Sequence, residues 1–223
     1  MSHYFTNDTH EHDYKIITYN INNGTYTFKT DAGVFSRNDV DYGTDLLIKT
    51  VIEDTTSQNQ TQKQNPTSMI DMGAGYGVIS IVLSDQLKLN ATAVDVNTNA
   101  LELTKLNSAN KKNAANKNNT NNPTNNTNNQ PNPTITTTTR DNYNNTDTTA
   151  DLYITNPPFR AGKQIVLEII EDSHKRLTAN GHFYMVVQKK QGMPSYKKQI
   201  EAIYHNVEVL AKSKGYYILK GSK

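Results

Sequence analysis

The chain has 223 residues, 35% of them hydrophobic and 20% charged, with a net charge of +2, which allows one sizeable hydrophobic core and indicates neither a strongly acidic nor a strongly basic partner. It contains no cysteine, which excludes a disulfide framework, a thiolate zinc site and a cysteine nucleophile. No apolar run reaches the roughly 18 residues that a membrane span needs, and the first residues lack the pattern of a secretory signal, so we predict a cytoplasmic protein without a membrane partner.

The first elements of the chain are predicted to be a hairpin and a helix. Strand-like segments at residues 14–20 and 25–30 flank Asn22-Asn23-Gly24, a turn signal because glycine readily takes a positive φ. Residues 43–54 then carry apolar side chains at helical spacing. We predict that residues 1–53 form an N-terminal extension made of this hairpin and helix.

From residue 67 onward, strands alternate with helices. The predicted strands are short apolar or β-branched runs at residues 67–72, 90–96, 134–139, 151–155, 181–188, 207–212 and 216–221. The predicted helices lie at residues 76–87, 98–112, 162–177 and 195–206. This order predicts an α/β fold with a Rossmann-like, doubly wound, mostly parallel seven-stranded sheet that ends in a C-terminal antiparallel hairpin. Ligands are then expected at the carboxyl ends of the strands.

Two segments differ from the rest in composition. Residues 54–66 and 107–133 are rich in Asn, Thr and Gln and nearly free of large apolar side chains. Such segments bury too little surface to offset the entropy lost on ordering. We predict that both are flexible polar insertions in a single domain that spans residues 1–223.

The strongest short motif is "IDMGAGYG", which joins a predicted strand to a predicted helix. Glycines at Gly73 and Gly75 let the backbone approach a ligand closely, and the helix that follows offers free N–H groups. The next strand ends at Asp95, about 20 residues further on, where a carboxylate can accept both hydroxyls of a ribose. The alternatives are a tight turn that needs glycine for its geometry and an aspartate that caps a helix.

This Asp-x-Gly-x-Gly-x-Gly spacing resembles the class I S-adenosylmethionine-dependent methyltransferases. The resemblance implies that S-adenosylmethionine is the cofactor and that Gly73 and Gly75 pass beneath its methionine part. It also implies that Asp95 holds the ribose and that an acidic residue after the third core strand, here Asp141, reaches the adenine; the alternative for Asp141 is an ordinary acidic residue in a solvent-facing loop. The remaining predicted cofactor contacts are their neighbours in these motifs and the residue after the fourth core strand: Asp71, Ala74, Val96 and Asn156.

A second motif, "ITNPPFR", follows the strand at residues 151–155. Prolines fix their own φ and cannot donate to a sheet, so Pro157 and Pro158 begin a stiff loop whose carbonyls are acceptors. The Asn156 side-chain oxygen and the Pro157 carbonyl can hold the two N–H groups of an exocyclic amine, while Phe159 offers a stacking face for a flipped base. We predict that Asn156, Pro157 and Phe159 are catalytic; the alternative is a rigid turn.

The segments "GVFSRNDVDYGTDLL", "DMGAGYGVIS" and "NPPFRAGK" together resemble the bacterial ribosomal RNA small-subunit guanine-N2 methyltransferase group, in its short single-domain form. The resemblance implies methylation of a guanine amine, with ribosomal RNA or the small ribosomal subunit as partner. Within the first segment, Phe35, Asp41, Gly43 and Thr44 are predicted either to close over the cofactor or to pack on the sheet.

Basic residues are concentrated toward the C-terminus. Residues 151–223 carry 12 Lys or Arg against 6 Asp or Glu, a charge that binds phosphates or simply keeps the protein soluble. The predicted RNA contacts flank the catalytic loop or follow a core strand: Arg160, Lys163, Lys189 and Lys190. The N-terminal His3, His10, Glu11 and His12 lack the spacing of a metal site, so no metal is predicted.

Three alternatives to guanine-N2 methylation remain open. Methylation of adenine N6 in DNA or of a protein glutamine amide can use the same Asn-Pro-Pro chemistry. A non-catalytic RNA-binding protein that assists ribosome assembly would keep the fold without needing the motifs. The identity of the methylated acceptor distinguishes the first two from the prediction, and the absence of any methylated acceptor distinguishes the third.

Overall fold

The computed structural model describes residues 12–58, 65–119 and 132–223, with the side chains of residues 58 and 111–119 left out of the description. The strands are β1 (Lys15–Ile21), β2 (Gly24–Thr30), β3 (Ser68–Met72), β4 (Asn90–Asp95), β5 (Ile135–Thr139), β6 (Ala150–Thr155), β7 (Leu177–Gln188), β8 (Glu208–Ser213) and β9 (Tyr216–Ser222). The helices are α1 (Tyr42–Gln58), α2 (Val78–Leu87), α3 (Thr98–Asn119), α4 (Arg140–Asn144), α5 (Lys163–Arg176) and α6 (Met193–Tyr204). Two 3₁₀ turns, Phe159–Ala161 and Lys189–Gln191, follow strands β6 and β7.

Seven strands form one sheet in the order β5-β4-β3-β6-β7-β9-β8. Strands β3 to β7 run parallel, whereas β9 is antiparallel to both β7 and β8. The predicted mostly parallel, Rossmann-like sheet with a C-terminal antiparallel hairpin is therefore confirmed. Within this sheet, the chain first forms β3, then adds β4 and β5 on one side of it, and then returns to place β6 on the other side. The direction in which strands are added therefore reverses between β3 and β6. This switch point is where doubly wound sheets bind ligands.

The core lies on both faces of the sheet because its central strands are buried on both sides. In β3, Met69 belongs to the apolar cluster formed with the hairpin and helices α1 and α2. The next residue, Ile70, belongs to the cluster formed with helices α5 and α6. Alternate residues of a strand point to opposite faces, so a run such as "SMIDM" can be continuously buried and still supply both clusters.

The predicted N-terminal hairpin forms from β1 and β2, with Ile21 opposite Gly24 at the turn. Helix α3 connects it to the sheet through Asn107, which is 2% exposed. The Asn107 side chain accepts from the backbone N–H of Lys29 and donates to the carbonyls of Lys29 and Tyr76. One buried amide thus connects the hairpin to the loop that follows β3.

Each of the two predicted polar insertions, residues 54–66 and 107–133, begins inside a helix of the structure. Helix α1 continues to Gln58 and helix α3 to Asn119, so residues 54–58 and 107–119 are helical. Polar residues such as Asn, Thr and Lys cost little in a helix whose inner face is packed. In α1, Thr55 is buried and Asp54 pairs with Lys220 at 2.9 Å. Residues 59–64 and 120–131 lie outside the described residues.

Candidate active site

A cavity of about 920 Å³ opens at the carboxyl edge of the sheet, across the switch point between β3 and β6. Its wall combines the loop after β3, the ends of β4 and β6, and residues 33–36 of the N-terminal extension. This volume lies at the upper end of the range for pockets that bind drug-sized ligands. The segments that carry the predicted cofactor and catalytic motifs therefore meet in one cavity.

The glycine-rich loop after β3 exposes its backbone to this cavity. Gly75 has φ +57°, and a Cβ built there would meet no atom within 4 Å, so open space borders the loop. Gly77 has φ +95°, and a Cβ there would lie 2.9 Å from Thr104 of α3. Gly73 and Ala74 also line the cavity, while their N–H groups donate to the Val94 carbonyl at 2.8 and 3.0 Å. At its glycines, the loop therefore presents backbone and no side chain to a ligand.

Asp95 ends strand β4 and fixes the shape of this loop. One carboxylate oxygen accepts from the Gly75 N–H at 2.8 Å, and the other accepts from the Asn97 N–H at 2.9 Å. Burial raises the pKa of Asp95, and backbone hydrogen bonds from Asn97, Gly75 and Val96 oppose the rise. A carboxylate has about four lone-pair sites, so these bonds leave room for a ligand hydroxyl. Val96 beside it also lines the cavity, with half of its surface exposed.

Asp71 lies beneath the glycine loop rather than in the cavity wall. It is fully buried, and one oxygen accepts from the backbone N–H and the hydroxyl of Ser80 at 2.9 and 2.6 Å. The other oxygen has no partner among the described residues. The side chain of Asp71 therefore faces helix α2 and anchors the first turn of that helix, and its contact with the cofactor stays a prediction.

Burial raises the pKa of Asp71 to about 7, against the hydrogen bonds from Ser80, and the nearby Asp95 raises it further. The folded state therefore holds this proton more tightly than the unfolded chain does. Asp71 stabilises the fold fully below pH about 4, and this contribution is lost as pH rises through about 7. Without cofactor, we expect the free energy of unfolding of the wild type, minus that of Asp71→Asn, to fall by up to about 4 kcal/mol across this range. Urea unfolding of both proteins measures it, and a constant difference contradicts it.

Asp141 does not line the cavity, so its contact with the adenine stays a prediction without support from the cavity wall. The side chain of Thr139 accepts from the Asn142 N–H and caps α4, so a helical turn begins at Arg140. Positions i and i+4 of a helix share a face, and here Arg140 and Asn144 are the residues that line the cavity. Asp141 lies between them and is exposed.

The predicted catalytic motif lies where β6 ends, opposite the start of α1. Asn156 lines the cavity, and its Nδ2 atom donates to the Thr44 hydroxyl at 2.9 Å, with Oδ2 of Asp41 at 3.5 Å. The Pro157 carbonyl accepts from the Phe159 N–H at 2.9 Å, which leaves one of its two lone pairs for another donor. The Asn156 oxygen and the Pro157 carbonyl are thus both able to accept from a ligand.

Phe159 begins the 3₁₀ turn after the two prolines and also lines the cavity. Its ring packs at 5.8 Å from the ring of Tyr196 in α6, with the planes tilted by 55°. This contact fixes the ring at the cavity wall, where its remaining surface can pack against a planar ligand.

Some of the predicted RNA contacts, and of the residues predicted to close over the cofactor, line the cavity, and the others lie outside it. Arg160 and Lys190 line the cavity, as do Phe35, Asp41 and Thr44 of the N-terminal extension. Lys163 and Lys189 are exposed outside it. Gly43 does not line the cavity, and its backbone packs against Tyr216: a Cβ on Gly43 would lie 2.7 Å from that ring.

Two residues that line the cavity, Tyr216 and Arg140, were not predicted from the sequence, because they stand in no recognisable motif. The available signal was the capping residue Thr139, which begins the helical turn that places Arg140.

Within residues 12–58, 65–119 and 132–223, no helix has the length and apolar character needed to cross a membrane. The same residues contain no group of three or more His, Asp or Glu placed to hold a metal ion. His12 instead contacts the buried Asp31 at 2.6 Å. His3, His10 and Glu11 lie outside the described residues.

The model of the family described as "Methyltransferase small domain" matches residues 25–220. The chain belongs to this methyltransferase family. The predicted class I S-adenosylmethionine-dependent methyltransferase, and with it S-adenosylmethionine as cofactor, is confirmed.

Individual relatives of this methyltransferase fall into two length classes. This chain is 34% identical over 209 residues to the uncharacterized protein YbxB of Bacillus subtilis, and the alignment covers 92% of this chain and 90% of the relative. It is 28% identical over 193 residues to the Ribosomal RNA small subunit methyltransferase C of Yersinia pseudotuberculosis, covering 85% of this chain and 47% of the relative. The chain therefore spans about half the length of that enzyme.

Among solved structures, the methyltransferase resembles the T. thermophilus 16S rRNA N2 methyltransferase RsmC, determined in complex with AdoMet and guanosine. The TM-score is 0.73 at 20% identity, covering 94% of this chain and 50% of the other. A ribosomal protein L11 methylase from Lactobacillus delbrueckii gives a TM-score of 0.57 at 16% identity, covering 86% of this chain and 82% of the other. At identities of 20% and 16%, these two structures establish a shared fold and do not identify the methyl acceptor.

Proposed function

We propose that this methyltransferase transfers a methyl group to an exocyclic amino nitrogen, and that its acceptor is the N2 atom of a guanine in small-subunit ribosomal RNA. The observation that carries the proposal is the orientation of Asn156. Because its Nδ2 atom donates to Thr44, its Oδ1 atom is the end that remains for a donor in the substrate. An amine with two N–H groups supplies that donor.

The cavity wall fits the cofactor at three places. The backbone at Gly75 borders open space, and a Cβ on Gly73 would lie 3.7 Å from the carbonyl oxygen of Asn156, so a side chain at either glycine would take up room beside the loop. The Asp95 carboxylate has lone pairs for ribose hydroxyls, and the exposed side chain of Val96 provides an apolar surface for the adenine. When bound, S-adenosylmethionine supplies an electrophilic methyl group on a positively charged sulfur.

The residues after β6 would prepare the amine for transfer. The lone pair of an exocyclic amine is delocalised into the base, which makes the nitrogen a poor nucleophile. Acceptance of its two N–H groups by Asn156 Oδ1 and the Pro157 carbonyl favours a more tetrahedral nitrogen with a localised lone pair. Phe159, supported by Tyr196, stacks on the base and fixes its position. Orientation then provides most of the rate acceleration, and the displaced proton passes to solvent without a strong general base.

The basic residues of the cavity wall and the similarity to ribosomal RNA methyltransferases favour RNA as the acceptor. Arg160 and Lys190 line the cavity, where they can contact the phosphates next to an extruded nucleotide. The matched ribosomal RNA methyltransferases share the fold and most of this chain's length. The combination supports a nucleic acid base over a protein glutamine, since a glutamine amide brings no phosphate.

An acceptor panel tests the proposal directly. Purified protein is incubated with S-adenosylmethionine that carries a labelled methyl group and with small ribosomal subunits, naked ribosomal RNA, DNA or a peptide release factor. We expect label in the subunit or its RNA, recovered after nuclease digestion as N2-methylguanosine, and at least tenfold less in the other acceptors. Label recovered from DNA as N6-methyl-2′-deoxyadenosine, or from protein as methylglutamine, contradicts the proposal. RNA binding without transfer to any acceptor would support a non-catalytic assembly factor.

A further inference from the structure

The start of helix α1 lies against the catalytic amide. Asp41 immediately precedes the helix, and its Oδ2 atom accepts from the Thr44 N–H at 3.1 Å, while its carbonyl accepts from the Asp45 N–H at 2.9 Å. This is the arrangement of a helix N-cap. It places the Thr44 hydroxyl, on a residue only 8% exposed, at 2.9 Å from Asn156 Nδ2. The cap and the catalytic residue therefore share one hydrogen-bond network.

The two partners of Asn156 have different effects on the amide. A threonine hydroxyl can donate or accept, so Thr44 alone pairs equally well with either end of the amide. An ionised carboxylate only accepts, and Asp41 Oδ2 lies 3.5 Å from Asn156 Nδ2. If the amide were reversed, its oxygen would face this carboxylate. Asp41 therefore selects the direction of the amide, and Thr44 supplies the shorter hydrogen bond that holds it.

The surroundings keep this network in place. A Cβ on Gly43 would lie 2.7 Å from the ring of Tyr216 in β9, so the backbone of α1 packs directly on the sheet there. The hydroxyls of Tyr42 and Ser213 are 2.7 Å apart and connect the same helical turn to β8. The start of α1 is thus packed against two strands, which leaves the Thr44 hydroxyl little freedom relative to Asn156.

The geometry points to Asp41 and Thr44 as positioning residues for methyl transfer: together they orient the Asn156 amide so that its oxygen accepts from the amine of the substrate. This inference rests on the proposed function. It gives the N-terminal segment a role in the transfer step itself, beyond covering the cofactor or packing on the sheet.

Kinetics of three threonine variants test the inference. Thr44→Val removes the hydroxyl at nearly constant volume, and we expect kcat to fall roughly tenfold or more, while KM for RNA and the calorimetric Kd for S-adenosylmethionine change less than threefold. Thr44→Ser keeps the hydroxyl and should recover most of the rate. Thr50→Val is the matched control: Thr50 is also 8% exposed in α1, but its hydroxyl bonds to the Leu46 carbonyl, so its kcat should match the wild type.

The amide itself provides a readout that does not depend on the acceptor. In ¹⁵N-labelled protein, the side-chain amide signal of Asn156, assigned by its loss in Asn156→Asp, should show hydrogen exchange at least tenfold faster in Thr44→Val than in the wild type. Asp41→Asn, which can face either end of the amide, should also change this signal.

Three results would overturn the inference: a wild-type kcat for Thr44→Val, the same Asn156 signal in both proteins, or a weakened cofactor affinity with unchanged kcat, which would make Thr44 a cofactor contact. If the wild type methylates no acceptor, the proposed function fails, and the amide signal alone then decides whether the two residues orient Asn156.

Discussion

Replacement of Asn156 by alanine is expected to lower kcat for methyl transfer by roughly 100- to 1000-fold, the range seen when one oriented hydrogen-bonding group is removed from an active site. The variant loses an acceptor for the amine and the orientation of its lone pair. The affinity for S-adenosylmethionine should fall less, by about fivefold at most, because Asn156 is only one of the predicted cofactor contacts and the glycine loop and Asp95 follow or end the strands β3 and β4. Single-turnover kinetics with a saturating acceptor, together with calorimetry of cofactor binding, separate the two quantities.

Asn206→Ala is the matched control for this variant. Asn206 lies between α6 and β8, and its amide donates to the carbonyls of Tyr204 and Ser222, away from the cavity. Its loss should lower the unfolding temperature and leave kcat within twofold of the wild type. If Asn156→Ala turned over no more slowly than Asn206→Ala, Asn156 would have no role in the transfer step.

Replacement of Asp95 by alanine is expected to weaken S-adenosylmethionine binding by roughly 100-fold or more, since a hydrogen bond to a charged group contributes about 1.5–3 kcal/mol and two ribose hydroxyls are available. The loop is affected as well, because the carboxylate also holds the N–H groups of Gly75 and Asn97. Isothermal titration calorimetry measures the affinity. Adenosine, which has the ribose but lacks the methionine part, should lose affinity by a similar factor.

Asp151→Ala distinguishes loss of a ligand contact from loss of a structural carboxylate. Asp151 lies at the opposite end of the sheet, at the start of β6, where it accepts from the N–H groups of Thr67 and Ser68 at 2.8 and 3.2 Å. Both variants should unfold at lower temperature without cofactor, but only Asp95→Ala should lose cofactor affinity. Equal affinities in the two variants would contradict the assignment of Asp95 to the ribose.

The sequence was sufficient to predict the parts of the site that depend on strand ends. The carboxyl ends of β3, β4 and β6 carry Gly73, Asp95 and Asn156, and parallel strands bring their ends to one edge of the sheet. Residues at such ends therefore meet whatever the details of packing. The alternation of strands and helices was enough to place all three.

The sequence could not predict the direction of individual side chains. Asp71 stands one residue before the end of β3, and the two-residue period of the strand turns it toward Ser80 and away from the cavity. Asp141 follows the first residue of a single helical turn, which turns Arg140 and Asn144 inward instead. Sequence spacing locates a residue near a site, whereas its rotation about the element decides whether it contacts the ligand.

Helix lengths and long-range contacts were also beyond composition alone. Asn107 belongs to a segment that looks unstructured by composition, yet it is buried and bonded to the hairpin and the glycine loop. Thr44 and Asn156 are 112 residues apart, and no periodicity links them. Both contacts arise only when the N-terminal extension packs against the sheet.

Methylation of a guanine amine in small-subunit ribosomal RNA, with Asn156 as the hydrogen-bond acceptor for that amine, can be tested in cells. The nucleosides of that RNA are compared by mass spectrometry in cells with the gene, without it, and with the gene restored as wild type or Asn156→Ala. We expect one N2-methylguanosine to disappear on deletion and to return with the wild type but not with the variant. An unchanged N2-methylguanosine profile, or full restoration by Asn156→Ala, would contradict the account.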